Sequence, residues 1–437
     1  MRLDKPNREI LRIAVPAIVS NITVPLLGLV DTAIAGHMGD ASYIGAIAVG
    51  GVVFNAVFWL FSFLRWGTGG LTAQALGACD NAEISNTLYR SCLLASMVGM
   101  GLILLQSPLY FLATRVITVS DDVAVYTSQY FHVCIWGAFA VQMCYALTGW
   151  FIGMQNSRIP MVVAIVQNVT NIPLSLFFVY GLGMKIVGIA LGTVIAQYVG
   201  LLVAVAMLFI SYRRYLVRPD WGTVFQRSAL MRFLSVNRDI MLRLVCLLAV
   251  TMWFTAAGAR QGGLVLAANA MLYQLFYLFS FFFDGFANAG EALCGRCWGA
   301  KDLPALRLTI RRVFCWGLVL VGVFTALYLT LGEQFLWLLS DRPEVVETAM
   351  EYFVWVLLVP VCGIQTFVWD GVFIGVTATR LLLLAMAVGT AVFFASYLTL
   401  FPLLGNDGLW ISFLLYLLGR GVTETFCSRK ALGGAKF

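Results

Sequence analysis

Few residues in this chain are able to do chemistry, and most of those are acids in apolar company. Asp31 sits in Pro25-Leu-Leu-Gly28-Leu-Val-Asp31-Thr-Ala, near the end of an apolar run that begins at about Ile10. Asp284 and Asp370 lie in later apolar runs, and Glu291 follows Asp284 by one and a half to two helical turns. A charged side chain at membrane depth costs about 2.5–3.5 kcal/mol on insertion scales, so an acid retained there ordinarily faces a cavity or a partner. The chemistry open to a buried carboxyl is proton exchange, because its proton affinity follows its hydration and its hydrogen bonds. Asp31 has two possible roles: titration, or a structural hydrogen bond near the outer end of its helix. Pro25 removes a backbone donor six residues before it, and with Gly28 marks a candidate hinge. Arg65 lies inside an apolar run and either snorkels to the interface or pairs with an acid; Arg260 falls at a span end as a candidate gating residue. The two histidines, His37 and His132, have no partner at metal-ligand spacing, and Cys294-Gly-Arg-Cys297 lacks a second pair. Phosphate loops, nucleophile elbows and zinc-protease motifs do not occur. The expectation is a protein that is not an enzyme, binds no cofactor or metal, and draws any uphill work from ion gradients.

Membrane spans are the elements that must position these residues. The chain has 437 residues, of which 61% are hydrophobic and 11% charged, against about 25% charged in a soluble domain. That much apolar surface does not fit inside a water-soluble core, and the continuous runs exclude the alternating pattern of a membrane barrel. The apolar runs predict twelve helices, at 10–35, 43–66, 88–109, 128–151, 159–180, 187–210, 239–258, 264–289, 310–331, 348–371, 382–402 and 408–426. Helices are required because hydrocarbon offers no partner to backbone polar groups. The net charge of +7 reads as a topology signal, since 21 of the 28 Lys and Arg fall on one side of this pattern. The positive-inside rule then places both termini in the cytoplasm of a multi-pass inner (plasma) membrane protein. The short basic loops give no reason to expect nucleic-acid binding.

The chain reads as a duplication. Gly149-Trp-Phe151-Ile152-Gly153…Arg158 returns as Gly371-Val-Phe373-Ile374-Gly375…Arg380, and Gly77-Ala78-Cys79-Asp80 as Gly299-Ala300-Lys301-Asp302, both 222 residues later. The expected organisation is an N-terminal six-helix lobe at 1–210, a basic cytoplasmic linker at 211–238, and a C-terminal six-helix lobe at 239–437. Parallel repeats of this kind build transporters with a substrate path between the halves. At the same offset Asp31 faces Trp253, Asp284 faces Ser62 and Asp370 faces Thr148, so the acids are not shared between the repeats.

These motifs together resemble the multidrug and toxic compound extrusion (MATE) transporters, most closely the DinF-like branch. The residues that carry the resemblance are the Pro25–Asp31–Gly36–His37 stretch, Phe63-Leu64-Arg65, Leu71-Thr-Ala-Gln74…Gly77-Ala78 and Phe151-Ile152-Gly153. They continue with Asn237-Arg238-Asp239-Ile240…Arg243, Gly258-Ala-Arg260, Asp284…Glu291 and Asp370-Gly-Val-Phe373-Ile374-Gly375. The resemblance implies an all-α membrane protein whose two lobes form a V around a central cleft. It implies export of organic, mostly cationic or amphiphilic compounds against inward H⁺, with the proton bound at Asp31 and the partners Asn171 and Thr193. It also implies a bend of span 1 at Pro25 and Gly28 when Asp31 gains its proton. Many DinF-like members carry a second acid where this chain has Ser175, so Asp31 is expected to be the lone acid of its lobe. Asp370 and Asp284 remain candidates for a cation or substrate site. The alternatives are a Na⁺-coupled antiporter that uses those C-lobe acids, or a lipid or polysaccharide flippase of the same superfamily. Small organic substrates and the bilayer are the expected partners, and the chain is expected to act as a monomer.

Overall fold

The computed structural model describes residues 5–38, 41–116 and 121–432. The described residues are helical, with no strand among them. Eleven segments are long and apolar enough to cross a membrane: Lys5–Gly36, Ser42–Gly77, Asn81–Leu104, Asp122–Gly153, Arg158–Gly181, Lys185–Tyr215, Arg227–Ala259, Gly263–Gly299, Leu303–Leu339, Phe353–Gly375 and Thr379–Leu404. The helix Asn406–Ala431 has the length of a span but buries Arg420 and Glu424. In chain order these are spans 1 to 12 below.

Several helices outrun the apolar stretches that announce them. Span 9, expected at 310–331, is Leu303–Leu339, and span 8, expected at 264–289, continues to Gly299. Hydropathy marks only the part suited to hydrocarbon, whereas a helix continues until its end groups are satisfied. Asp80 accepts from the Glu83 amide (2.9 Å) to cap span 3, and Asp302 accepts from the Ala305 amide (3.0 Å) to cap span 9. The expected linker at 211–238 is already helical from Arg227 onward. Its first part is strapped to span 3. Arg90 donates to the carbonyls of Val224 and Thr223 (2.9 Å each) and pairs with Glu83 (2.7 Å), while Tyr89 donates to the Val217 carbonyl (2.8 Å). Arg90 is buried by these contacts.

Contacts divide the chain into two compact units, Val19–Asn237 and Met1–Ile18 with Arg238–Phe437. In the second unit Glu9 pairs with Arg296 (2.6 Å), Asn7 accepts from the Trp316 indole (3.2 Å), and Gly285 lets span 8 close on the main chain at Ala14 and Ile18. The start of span 1 thus belongs with spans 8 and 9 in its contacts, and the remainder belongs with the first unit.

The two halves repeat where spans 2 and 4, and spans 8 and 10, cross. On span 4, Gly149 lies against the Arg65 carbonyl and Gly153 against the Gly69 carbonyl of span 2. On span 10, Gly371 lies against the Ala287 carbonyl and Gly375 against the Glu291 carbonyl of span 8. All four pairs are related by the offset of 222. Small residues four apart let helix backbones touch without a hydrophobic drive between them. The left-handed turns repeat as well: Cys79 (φ 56°) and Lys301 (57°), Gln155 (62°) and Thr377 (56°), Gly183 (66°) and Gly405 (59°). The duplication is therefore a property of the backbone as much as of the sequence.

Candidate functional site

Spans 1, 5 and 6 bring three of the sequence candidates together. Asp31 is 3% exposed and Asn171 is fully buried. The Thr193 hydroxyl is 3.0 Å from Asp31 Oδ2, and Asn171 Nδ2 donates to that same hydroxyl at 3.0 Å. Thr193 Oγ1 also lies 3.1 Å from the Ile189 carbonyl one turn back. Local chemistry shapes this corner. Pro173 interrupts the bonding of span 5, which finishes in a wide π-type turn at Phe177–Gly181. Gly192 on span 6 leaves no room for a Cβ beside Ser175, so the two helices meet closely. Asp31 Oδ1, Asn171 Oδ1 and Ser175 Oγ are buried oxygens that make no hydrogen bond. Tyr130 and Cys134 of span 4 lie within electrostatic reach of the carboxyl.

A hydroxyl has one proton to give and two lone pairs to receive with. If Asp31 is ionised, Thr193 donates to it. If Asp31 carries a proton, the carboxyl donates to Thr193 and the hydroxyl turns to the Ile189 carbonyl. Asn171 donates to Thr193 in either case. The heavy atoms therefore accommodate both protonation states without moving.

The second half holds its acid differently. Asp370 on span 10 is 7% exposed, bonded by Arg243 of span 7 and by Arg420 of span 12, whose Nη2 reaches both carboxylate oxygens at 3.0 and 3.2 Å. Arg420 Nη1 also donates to the Tyr416 hydroxyl (3.2 Å), and Glu424, fully buried one turn further on, completes the cluster. Arginines already occupy the faces of Asp370 that a cationic ligand would use. Arg243 entered the sequence reading only as part of a family motif, and Arg420 and Glu424 were not candidate site residues. The readable signal was Arg420 with Glu424 at i and i+4, two charges on one face of an otherwise apolar helix.

The other candidates stand apart from both networks. Asp284 is half-buried on span 8 and takes no part in the hydrogen bonds of Asp31 or Asp370. Arg65 is half-buried, its guanidinium 3.6 Å from the centroid of the Trp66 ring. Arg260 is exposed and stacks over Trp253 at 5.5 Å, so it rests on the repeat counterpart of Asp31. Pro25 and Gly28 are exposed within the continuous helix Lys5–Gly36, with open space around Gly28. The Thr32 hydroxyl bonds back to the Gly28 carbonyl at 2.8 Å, a contact that favours bending.

Comparisons with known proteins agree with this architecture. The family model described as MatE matches residues 16–177 and 240–397. The chain is 36% identical over 422 residues to DNA damage-inducible protein F of Escherichia coli (strain K12), covering 96% of this chain and 92% of that protein. It is 24% identical over 439 residues to the multidrug resistance protein NorM of Vibrio cholerae serotype O1, covering 95% and 93%. A crystal structure of MATE in the bent conformation superposes with a TM-score of 0.87 at 18% identity, over 98% of this chain and 96% of that one. An outward-facing multidrug resistance MATE transporter of the MOP superfamily superposes at 0.86, also at 18% identity, over 99% and 97%.

Proposed function

The chain belongs to the MATE family, a family of transport proteins rather than enzymes, and on that premise we propose that it exports organic compounds in exchange for inward protons carried by Asp31. Relatives named as multidrug resistance proteins support the multidrug part of this reading. The observation that carries the proton part is the Asp31–Thr193–Asn171 chain, in which one hydroxyl serves both the ionised and the protonated carboxyl. No arginine or lysine forms a salt bridge with Asp31 among the described residues, so gain and loss of a proton breaks no ion pair there.

Antiport needs the proton and the substrate to favour different conformations of one protein. Hydration of the carboxyl from opposite sides of the membrane would change its proton affinity between those conformations. Span 1 links Asp31 to the rest of the molecule, with Pro25 and Gly28 as the flexible positions between its start and the acid. A membrane potential supplies about 2.3 kcal/mol per charge per 100 mV, roughly a 50-fold substrate gradient per proton. The substrates are organic cations or amphiphiles, the chain works as a monomer in the inner membrane, and both termini lie on the cytoplasmic side, as the basic residues favour.

The test is transport of a fluorescent organic cation by purified protein in liposomes. An imposed pH gradient drives efflux, and a Na⁺ gradient at uniform pH does not. Efflux driven by Na⁺ alone contradicts proton coupling, and efflux driven by neither contradicts antiport.

A further inference from the structure

We propose that Glu424 is a second proton-exchange site, in the C-terminal half, and that its proton decides whether Arg420 is held by Asp370 alone or shared with Glu424. Glu424 is fully buried, and no neighbouring N–H or O–H donates to either of its carboxyl oxygens; the carboxyl within hydrogen-bonding reach is that of Asp370. Arg420 precedes it by four residues on the same face of span 12, the spacing at which an arginine and a glutamate ordinarily meet. Instead, Arg420 spends its Nη2 on Asp370 and its Nη1 on Tyr416, while its Nε is buried without an acceptor.

The other charged groups around Glu424 are engaged with one another, save for the Nε–H groups of the two arginines. Asp370 faces it from span 10 and Arg243 from span 7, while Arg420 is the charged group from its own helix. Span 11 contributes Gly389, which admits the Arg420 stem, and Met386, whose sulfur lies 3.2 Å from the Tyr416 hydroxyl. A buried ionised carboxylate without a donor is among the costliest groups a protein can hold, whereas the neutral acid is not. The arrangement is therefore that of a protonated Glu424 beside one carboxylate and two guanidiniums. When the carboxyl O–H bond breaks and the proton passes to water, two carboxylates face two guanidiniums. The Nε–H groups of Arg420 and Arg243 are both buried without an acceptor, and Arg420, one turn away on the same helix face, then turns partly to Glu424. The tie between spans 10 and 12 slackens, and Arg243 remains on Asp370. This site stands apart from the Asp31 reading, with a different acid in the other unit.

Infrared difference spectra of the full-length protein between acid and alkaline buffer test it, because buried carboxylic acids absorb apart from solvated ones. Two buried acid bands are expected in the wild type. Glu424→Gln, in protein that elutes as a folded species, loses one band and keeps the band that Asp31→Asn removes. Glu424→Asp retains a titrating group and shifts the Glu424 band. A Glu424→Gln spectrum that retains both bands overturns the proposal. Should Glu424→Gln not fold, an unshifted pair of bands in Glu424→Asp overturns it equally. A spectrum with the Glu424 band but no Asp31 band supports this site and contradicts the Asp31 reading.

Discussion

Asp31 and Asp370 are both acids buried in helical spans, and their environments are opposite. Asp31 is bonded by a hydroxyl that an amide supports in turn, with no salt bridge among the described residues. Asp370 is bonded by two arginines from two other spans. The two halves share a repeated frame, seen in the glycine crossings and the left-handed turns. The difference therefore lies in side chains placed on a duplicated frame. In the repeat register, Asp31, Asn171 and Thr193 correspond to Trp253, Phe393 and Leu415, while Arg243, Asp370, Arg420 and Glu424 correspond to Asn21, Thr148, Tyr198 and Leu202. One half holds an acid that makes no salt bridge among the described residues. The other half built an ion cluster that ties spans 7, 10 and 12 together.

The sharpest way to break this contrast is to remove one charge from each half. Arg420→Ala leaves the buried Asp370 with a single partner and is expected to cost about 3–5 kcal/mol, read as loss of monodisperse protein or a large drop in melting temperature in detergent. Asp31→Asn is expected to change stability by no more than about 1.5 kcal/mol, the net value of one hydrogen bond. Equal losses in the two variants would remove the distinction between a tie and a titrating site.

Substitutions where the halves agree sharpen it from the other direction. A Cβ at Gly149 would meet the Arg65 carbonyl, and a Cβ at Gly371 the Ala287 carbonyl. Gly149→Ala and Gly371→Ala are each expected to cost about 1–3 kcal/mol, with similar values in thermal denaturation, because each forces the same crossing apart. Thr193→Val strips the hydroxyl that links Asp31 and Asn171. It is expected to cost about 1–3 kcal/mol through the unpaired groups it leaves, and to alter the pH profile of transport, which Gly149→Ala does not. The smallest effect belongs to the caps. Asp80→Ala and Asp302→Ala remove matched N-cap bonds, worth about 1 kcal/mol each.

Much of this was readable before any coordinates. Long apolar runs required helices, and the offset of 222 exposed the duplication through glycines that the structure shows to be crossing points. Asp31 stood out because an acid in hydrocarbon is costly, while Asn171 and Thr193 were found through the family resemblance. The cluster in the second half was legible only in part: Asp370 stood out as an acid in an apolar run, but its members come from three spans and have uncharged counterparts in the first repeat. Arg420 falls among the basic residues that set the topology signal, since hydropathy cannot tell a charge facing water from one facing a buried acid. The same ambiguity applies to Arg90, which besides Glu83 binds backbone carbonyls well over a hundred residues away. Helix ends were also obscured, because the cap that stops a helix lies beyond the apolar stretch that reveals it.

The central claim is that Asp31 alone in its half couples transport to protons. It is tested most directly by pH-gradient-driven accumulation of a fluorescent organic cation in inverted membrane vesicles, with wild type and Asp31→Asn at matched amounts of folded protein. Wild type is predicted to accumulate the cation, and Asp31→Asn to show no accumulation above vesicles lacking the protein. Gradient-driven accumulation by Asp31→Asn at the wild-type rate would contradict the claim.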